Sequence, residues 1–326
     1  MKRRDFITAL LSGLISLAAG KEVRSRMSNP GNKAKVSLVK TSDRTEGIKR
    51  AIDLLGINPV KGKEVLLKPN FNTADEYPGS THNDTLIRLI LKLKEMGAKK
   101  ITIGERSGPP DTANVMKEKG IYDICKEHDI GLINFEDLPD DQWKRIQPDG
   151  SHWRNGFDIA KPVLESECVV TTCCLKTHGF GGVFTMSLKL SIGITHKRNM
   201  TELHTSFLSM RKMIAEVNTS YDPALILMDG IEAFTSGGPA KGKKAKPDVI
   251  IAGTDRIAID AVGVAILKEL GSKKEIMEKR IFEQEQIARA VELGLGVERP
   301  DKIDIITDSD AGKVYADKLN EILMKG

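Results

Sequence analysis

The sequence predicts an α/β protein: a mostly parallel mixed sheet with helices on both faces, in Rossmann-like layers. Three observations carry this. Short apolar runs of strand length alternate with longer segments whose apolar residues recur every three or four positions. The two kinds take turns along most of the chain, which requires crossover connections between strands that run the same way. An apolar content of 40% over 326 residues supplies a core of the size such a fold needs.

In chain order, strands are expected over residues 35–39, 64–68, 101–104, 131–135, 167–174, 225–228, 248–252 and 302–306. Helices are expected over 45–55, 83–96, 111–119, 206–217, 257–270, 273–293 and 311–324. Residues 21–34 are polar and unpatterned and read as a linker, so that one α/β domain runs over 35–326. Pro148, Asp149, Gly150, Asn155 and Gly156 mark a candidate subdivision near 147–156. No repeat is visible.

Residues 1–20 have the zones of an export signal. Lys2, Arg3 and Arg4 are basic, Phe6 to Leu17 is mostly apolar, and Ala18, Ala19 and Gly20 are small. Arg3-Arg4-Asp5-Phe6-Ile7 resembles the twin-arginine consensus, so the export machinery of that pathway is an expected partner and the protein is expected outside the cytoplasm, in a periplasmic or other extracytoplasmic compartment. The apolar zone is too short for a stable span in the mature form, and a retained leader would act as an anchor.

The formal net charge of +5 falls to +3 without Lys2, Arg3, Arg4 and Asp5, and aromatic content is 5%. Both argue against nucleic acid as a partner.

Ligands of open parallel sheets bind beyond the carboxyl ends of strands. There the sequence places Lys68, Asn70 and Asn72, then Glu105, then Lys176 and His178, then Asp229, then Asp255. The densest segment runs from Lys176 through Lys189, His196, Lys197 and Arg198 to His204, around Gly179, Gly181, Gly182 and Gly193. It points to a small anionic ligand, against the plain alternative of a solvated basic loop with core histidines.

Gly237-Gly238-Pro239-Ala240-Lys241-Gly242-Lys243 fits the opening of a phosphate-binding P-loop, but Lys244 replaces the hydroxyl residue and a strand follows instead of a helix. A basic flap or anion loop is the better reading of Gly237 and Gly238. Asp229, Asp255 and Asp260, with Glu105 and Glu232, could hold a divalent metal, although no metal-specific spacing is present. Asp255 also reads as the N-cap of the following helix.

Cys173 and Cys174 should point to opposite faces of a regular strand and read as core thiols, with a Cys-His metal site at His178 or a redox pair as the second reading. No iron–sulfur motif is present.

Lys68-Pro69-Asn70, Lys176-Thr177-His178, Ser187-Leu188-Lys189, Asp229-Gly230, Gly237-Gly238-Pro239 with Gly242, and Ala252-Gly253-Thr254-Asp255 with Ala258, Asp260 and Ala261 together resemble the family catalogued as domain of unknown function 362. Some members resemble this chain fused to ferredoxin-type cluster segments and are labelled iron–sulfur proteins, a label that this chain departs from by lacking those cysteines. A fainter similarity of layout is to nickel-dependent racemases of hydroxy acids, and it assigns no residue.

Two functions follow as expectations. In the first, an enzyme acts on a small anionic substrate, with Lys68, Lys176 and Lys189 anchoring charge, His178 as general acid or base, and Asp229 or Asp260 orienting it or holding a metal. In the second, a non-catalytic protein binds a cofactor or ligand in association with a redox complex. Both require Lys68, His178, Asp229 and Asp255 to meet around one hollow.

Overall fold

The computed structural model describes residues 33–326. The expected leader and nearly all of the expected linker lie outside the described residues. Twelve strands form: β1 (Ala34–Lys40), β2 (Glu64–Lys68), β3 (Lys100–Glu105), β4 (Gly131–Asn134), β5 (Trp143–Ile146), β6 (Phe157–Ala160), β7 (Cys168–His178), β8 (Val183–Thr185), β9 (Leu225–Gly237), β10 (Gly242–Ala245), β11 (Val249–Gly253) and β12 (Ile303–Ile306). Ten of them make one sheet in the order β12-β1-β11-β9-β7-β2-β3-β4, with β10 added to β9 and β8 to β7. Along that path β11 runs antiparallel to both neighbours and every other pairing is parallel.

Alternate residues of the strands feed different cores, as a pleated strand requires. Val249 and Ile251 of β11 and Ile226 and Met228 of β9 pack on one face, with the helices Arg256–Glu269, Glu285–Glu292 and Asp310–Lys325. Ile250, Ala252, Leu225 and Leu227 pack on the other, with the helices Arg44–Leu54, Asn83–Glu95, Thr112–Glu118 and Ile121–Glu127. The expected α/β fold with helices on both faces is thus the observed one. The helix Arg256–Glu269 is apolar nearly all round and buried from Arg256 to Leu267, because it lies between the sheet and the outer helices.

Residues 147–156 form the loop between β5 and β6, a separate two-stranded sheet whose Trp143 and Phe157 join a third core with Trp153 and Leu66. These two strands, and β8 and β10, are too short to show as periodic runs. The single helix expected over 273–293 is broken into Lys274–Met277, a 3-10 turn at Ile281–Glu283 and Glu285–Glu292. Ile276, Ile281 and Ile287 explain the breaks. On a straight helix a five-residue step turns a side chain by about 140°, whereas all three enter the same core here.

Gly104, at the end of β3, has no side chain because the ring of Phe135 occupies the space: an added Cβ would lie 2.3 Å from Phe135 Cζ and 3.0 Å from Leu66 Cδ1. Phe135 is fully buried and cannot swing away. Gly104→Ala is expected to destabilise the protein by about 1–3 kcal/mol in denaturant unfolding. An unchanged midpoint would contradict this packing of β3.

Candidate functional site

Beyond the carboxyl ends of β2, β3 and β7 lies a cavity of about 760 Å³. Its polar wall includes Lys68, Asn70, Asn72, Glu105, Arg106, Lys176, His178, Thr185, Lys189 and Lys197, and its apolar wall Leu190, Ile192, Met200, Pro109 and Phe180. The three strands are parallel, so the loops that follow them converge at one edge.

The floor is an ion pair. Lys68 Nζ lies 2.5 Å from Glu105 Oε1 and donates to the Pro69 carbonyl at 2.8 Å, while Glu105 Oε2 accepts from the Phe71 N–H at 2.8 Å. Both side chains are buried; burial pushes the Glu105 carboxyl up and the Lys68 ammonium down, and each is opposed by the other's charge. Gly193 lies directly over the pair, where an added Cβ would be 2.5 Å from Lys68 Nζ. Arg106 holds that turn in place by donating to the carbonyls of Thr195 at 2.7 Å, Ile192 at 2.5 Å and Ser107 at 2.6 Å.

Most cations of the cavity are therefore already engaged. Lys68 has Glu105, Arg106 has three carbonyls, Lys197 pairs with Glu136, and Lys176 donates to the carbonyls of Gly79 and, at 3.2 Å, Pro239. Lys189 differs: among the described residues its ammonium has no acidic or hydrogen-bonding partner. Burial first, then Lys176 and Arg106, lower its pKa to about 8. It stands beside His178, both filling the space that a side chain at Gly182 would take, 2.9 Å from Lys189 Cε and 3.0 Å from His178 Nδ1.

His178 Nδ1 accepts the Phe180 N–H at 3.1 Å, so the proton of the neutral ring sits on Nε2. Burial, followed by the charges of Lys189, Lys176 and Lys273, pushes its pKa far down. The ring is held neutral in this cation-rich setting, which speaks against the acid half of its expected role as general acid or base and leaves the base half standing. Two further buried polar atoms on the wall, Asn70 Nδ2 and Thr185 Oγ1, have no partner. Such atoms are costly unless something fills the site.

Other expected site residues lie elsewhere. Asp229 is inside β9, because that strand continues to Gly237, and its carboxylate is engaged by Arg44 at 2.9 Å, Tyr77 Oη at 2.6 Å and Thr85 Oγ1 at 2.5 Å. Asp255 caps the Arg256–Glu269 helix at Ala258 N and also accepts from Val297 N. It leaves the opposite sheet edge because β11 is antiparallel. The four-residue hollow expected from the sequence is therefore not formed: only Lys68 and His178 share it. Asp260 is fully buried beneath the site, where it accepts the N–H groups of Ser187 at 2.7 Å and Leu188 at 3.0 Å and so sets the turn that presents Lys189.

Gly237 and Gly238 belong to the β9–β10 hairpin and not to a P-loop. They fasten it to β7 through Thr177 Oγ1 and Gly179 N, which brings Pro239 and Ala240 to the cavity wall. Gly238 has φ +74°, and an added Cβ would lie 2.0 Å from Thr177 O.

Among the described residues no three His, Cys, Asp or Glu side chains converge as a ligand set. The carboxylates expected to hold a divalent ion are dispersed, so they do not fit one. Cys173 enters the core with Leu175, and Cys174 faces Thr81 and Asp229. The thiols lie on opposite faces and cannot pair, and burial pushes Cys174 up to about 11.

Thr185 carries no recognisable motif. Thr185 reaches the wall only because β8 pairs with β7 opposite Lys176. Lys68→Met is expected to destabilise the fold by about 3–5 kcal/mol by leaving Glu105 buried without its cation. Adding Glu105→Gln should recover at least half of that loss in urea unfolding; equal stability of both variants would contradict the pairing.

The chain is 24% identical over 214 residues to the thylakoid-associated protein sll1697 of Synechocystis sp.. That match covers 64% of this chain and 64% of the relative, less than two thirds of its length. The lactate racemase apoprotein from Thermoanaerobacterium thermosaccharolyticum is similar over 86% of this chain and 85% of its own, with 14% identity and a TM-score of 0.42. Residues 65–265 match the family described as domain of unknown function (DUF362), a span that holds Lys68, Lys176, His178 and Lys189, and the chain belongs to that family.

Proposed function

We propose that the cavity binds a small anionic molecule through Lys189, and that the protein is an enzyme acting on it. One observation carries the reading: among the described residues Lys189 is a cation without a counter-ion, set in a cavity whose other lysines and arginine are already engaged. An acidic group on the ligand would supply the missing charge. Asn70 Nδ2, Thr185 Oγ1 and the Nε2–H of His178 then offer donors to its oxygens. Leu190, Ile192 and Met200 suit an uncharged remainder.

The chemistry that fits is proton transfer. With a pKa of about 8, Lys189 is available as ammonium and as amine near neutral pH, and His178 can polarise a bound oxygen while staying neutral. The basic, apolar and small-residue zones of residues 1–20 support export by the twin-arginine route, and the thylakoid association in the name of the Synechocystis relative is compatible with a place outside the cytoplasm.

Calorimetric titration with inorganic phosphate, phosphate monoesters and mono- and dicarboxylates tests the binding. Lys189→Met should weaken the best ligand by at least about tenfold. No anion binding to the wild type, or equal binding to the variant, would overturn the proposal.

The pH dependence has a definite sign. A bound anion raises the pKa of Lys189, so affinity should be constant below about pH 8 and fall by about tenfold by pH 9. The same amine destabilises the empty protein, because its folded pKa lies below its unfolded value; this cost is full at neutral pH and fades as pH rises from about 8 towards 10.5. Lys189→Met should accordingly raise the melting temperature by roughly 2–4 °C while binding is lost.

A further inference from the structure

Phe180 on the cavity wall, and Phe207 and Leu208 close in sequence to the wall residues His204 and Thr205, are apolar side chains that nothing in the described structure covers. Phe180 is 73% exposed, Phe207 71% and Leu208 88%. Singly scattered apolar residues are ordinary on a protein surface, but these are held together. Arg211 Nη1 donates to Gly181 O at 2.9 Å and to Phe207 O at 3.2 Å, so one nitrogen joins the backbone beside Phe180 to that of Phe207. Glu285 fixes the same guanidinium.

The Gly179 N–H donates to Gly238 O at 3.0 Å and ties this loop to the β9–β10 turn. Beyond that tie, Lys241 and Lys243 are exposed and form no ion pair among the described residues. Apolar tips beside unpaired lysines are the composition of a surface that sits in the headgroup layer of an anionic membrane. A second copy of the chain suits the patch less well, because a two-fold contact buries the same patch from both copies and so brings together two sets of these lysines with no acidic partner of their own among the described residues.

We infer that the rim of the cavity docks on an anionic lipid surface, with Phe180, Phe207 and Leu208 entering the headgroup region and Lys241 and Lys243 facing lipid phosphate. Among the described residues no helix is long and apolar enough to cross a membrane. The cavity then opens against the bilayer, and an acid with an apolar body could pass between the two. The docking stands on the rim alone and does not need the ligand assigned to Lys189.

Co-sedimentation of the full chain with vesicles tests it, comparing phosphatidylcholine with phosphatidylcholine–phosphatidylglycerol mixtures. The wild type should partition at least about tenfold more onto the anionic vesicles and lose that preference at high salt. F207S/L208S and K241E/K243E should each lower partitioning by about tenfold or more with unchanged melting temperatures. Val314→Ser, at an equally exposed apolar position elsewhere, should leave it unchanged. The leader is common to all variants, so binding that ignores both pairs of substitutions would overturn the proposal. Absence of binding to either vesicle, or a concentration-dependent dimer lost with the same substitutions, would do so too.

Discussion

The contact between Lys68 and Glu105 organises the site. It joins the ends of two neighbouring parallel strands, β2 and β3, out of reach of solvent. Such a pair is tolerated inside a protein only if its remaining hydrogen-bonding capacity is filled. Pro69, Phe71 and Arg106 fill it with backbone groups, and Gly193 closes it from above because any larger residue would collide with it. The loop that supplies Gly193 is also the one that Arg106 grips and that follows the Lys189 turn.

One consequence is a division of labour among the cations. Charges that a sequence reader would count as ligand anchors are structural ties: Lys176 joins the Gly79 loop to the hairpin turn, and Arg106 joins β3 to the 192–195 segment. Their fields remain in the cavity all the same. Burial, with the charges of Lys189, Lys176 and Lys273, pushes the His178 pKa down, and burial, with Lys176 and Arg106, lowers that of Lys189, so cations with structural jobs also act on their neighbours in the cavity.

Much of this was legible in sequence. The strand-end rule leads to Lys68, Asn70, Asn72, Glu105, Lys176 and His178 because β2, β3 and β7 really are parallel, the basic segment after them leads to Lys189, and all seven line the cavity. It misplaces Asp255, since the apolar run of β11 reads the same whichever way the strand points. It misplaces Asp229 because an Asp-Gly pair resembles a strand end, whereas hairpin pairing with β10 and the bulged contact with β7 carry β9 on to Gly237. Thr185 depends on the tertiary pairing of β8 with β7, for which no local pattern exists, and Gly193, though inside the glycine-rich segment singled out by sequence, shows its place over the ion pair only in three dimensions. The same holds for the idle state of Lys189: a lysine that lacks a partner looks, in sequence, like any other.

Among the described residues Lys189 is a cation of lowered pKa without an acidic partner, and the proposed function gives it an acid as its ligand. Titration of its 13Cε resonance by NMR, assigned by its absence from Lys189→Met, addresses both directly. The account predicts a pKa near 8 in the empty protein and an upward move when a binding anion is added. A lysine that titrates at its ordinary value of about 10.5 and ignores every anion would contradict it.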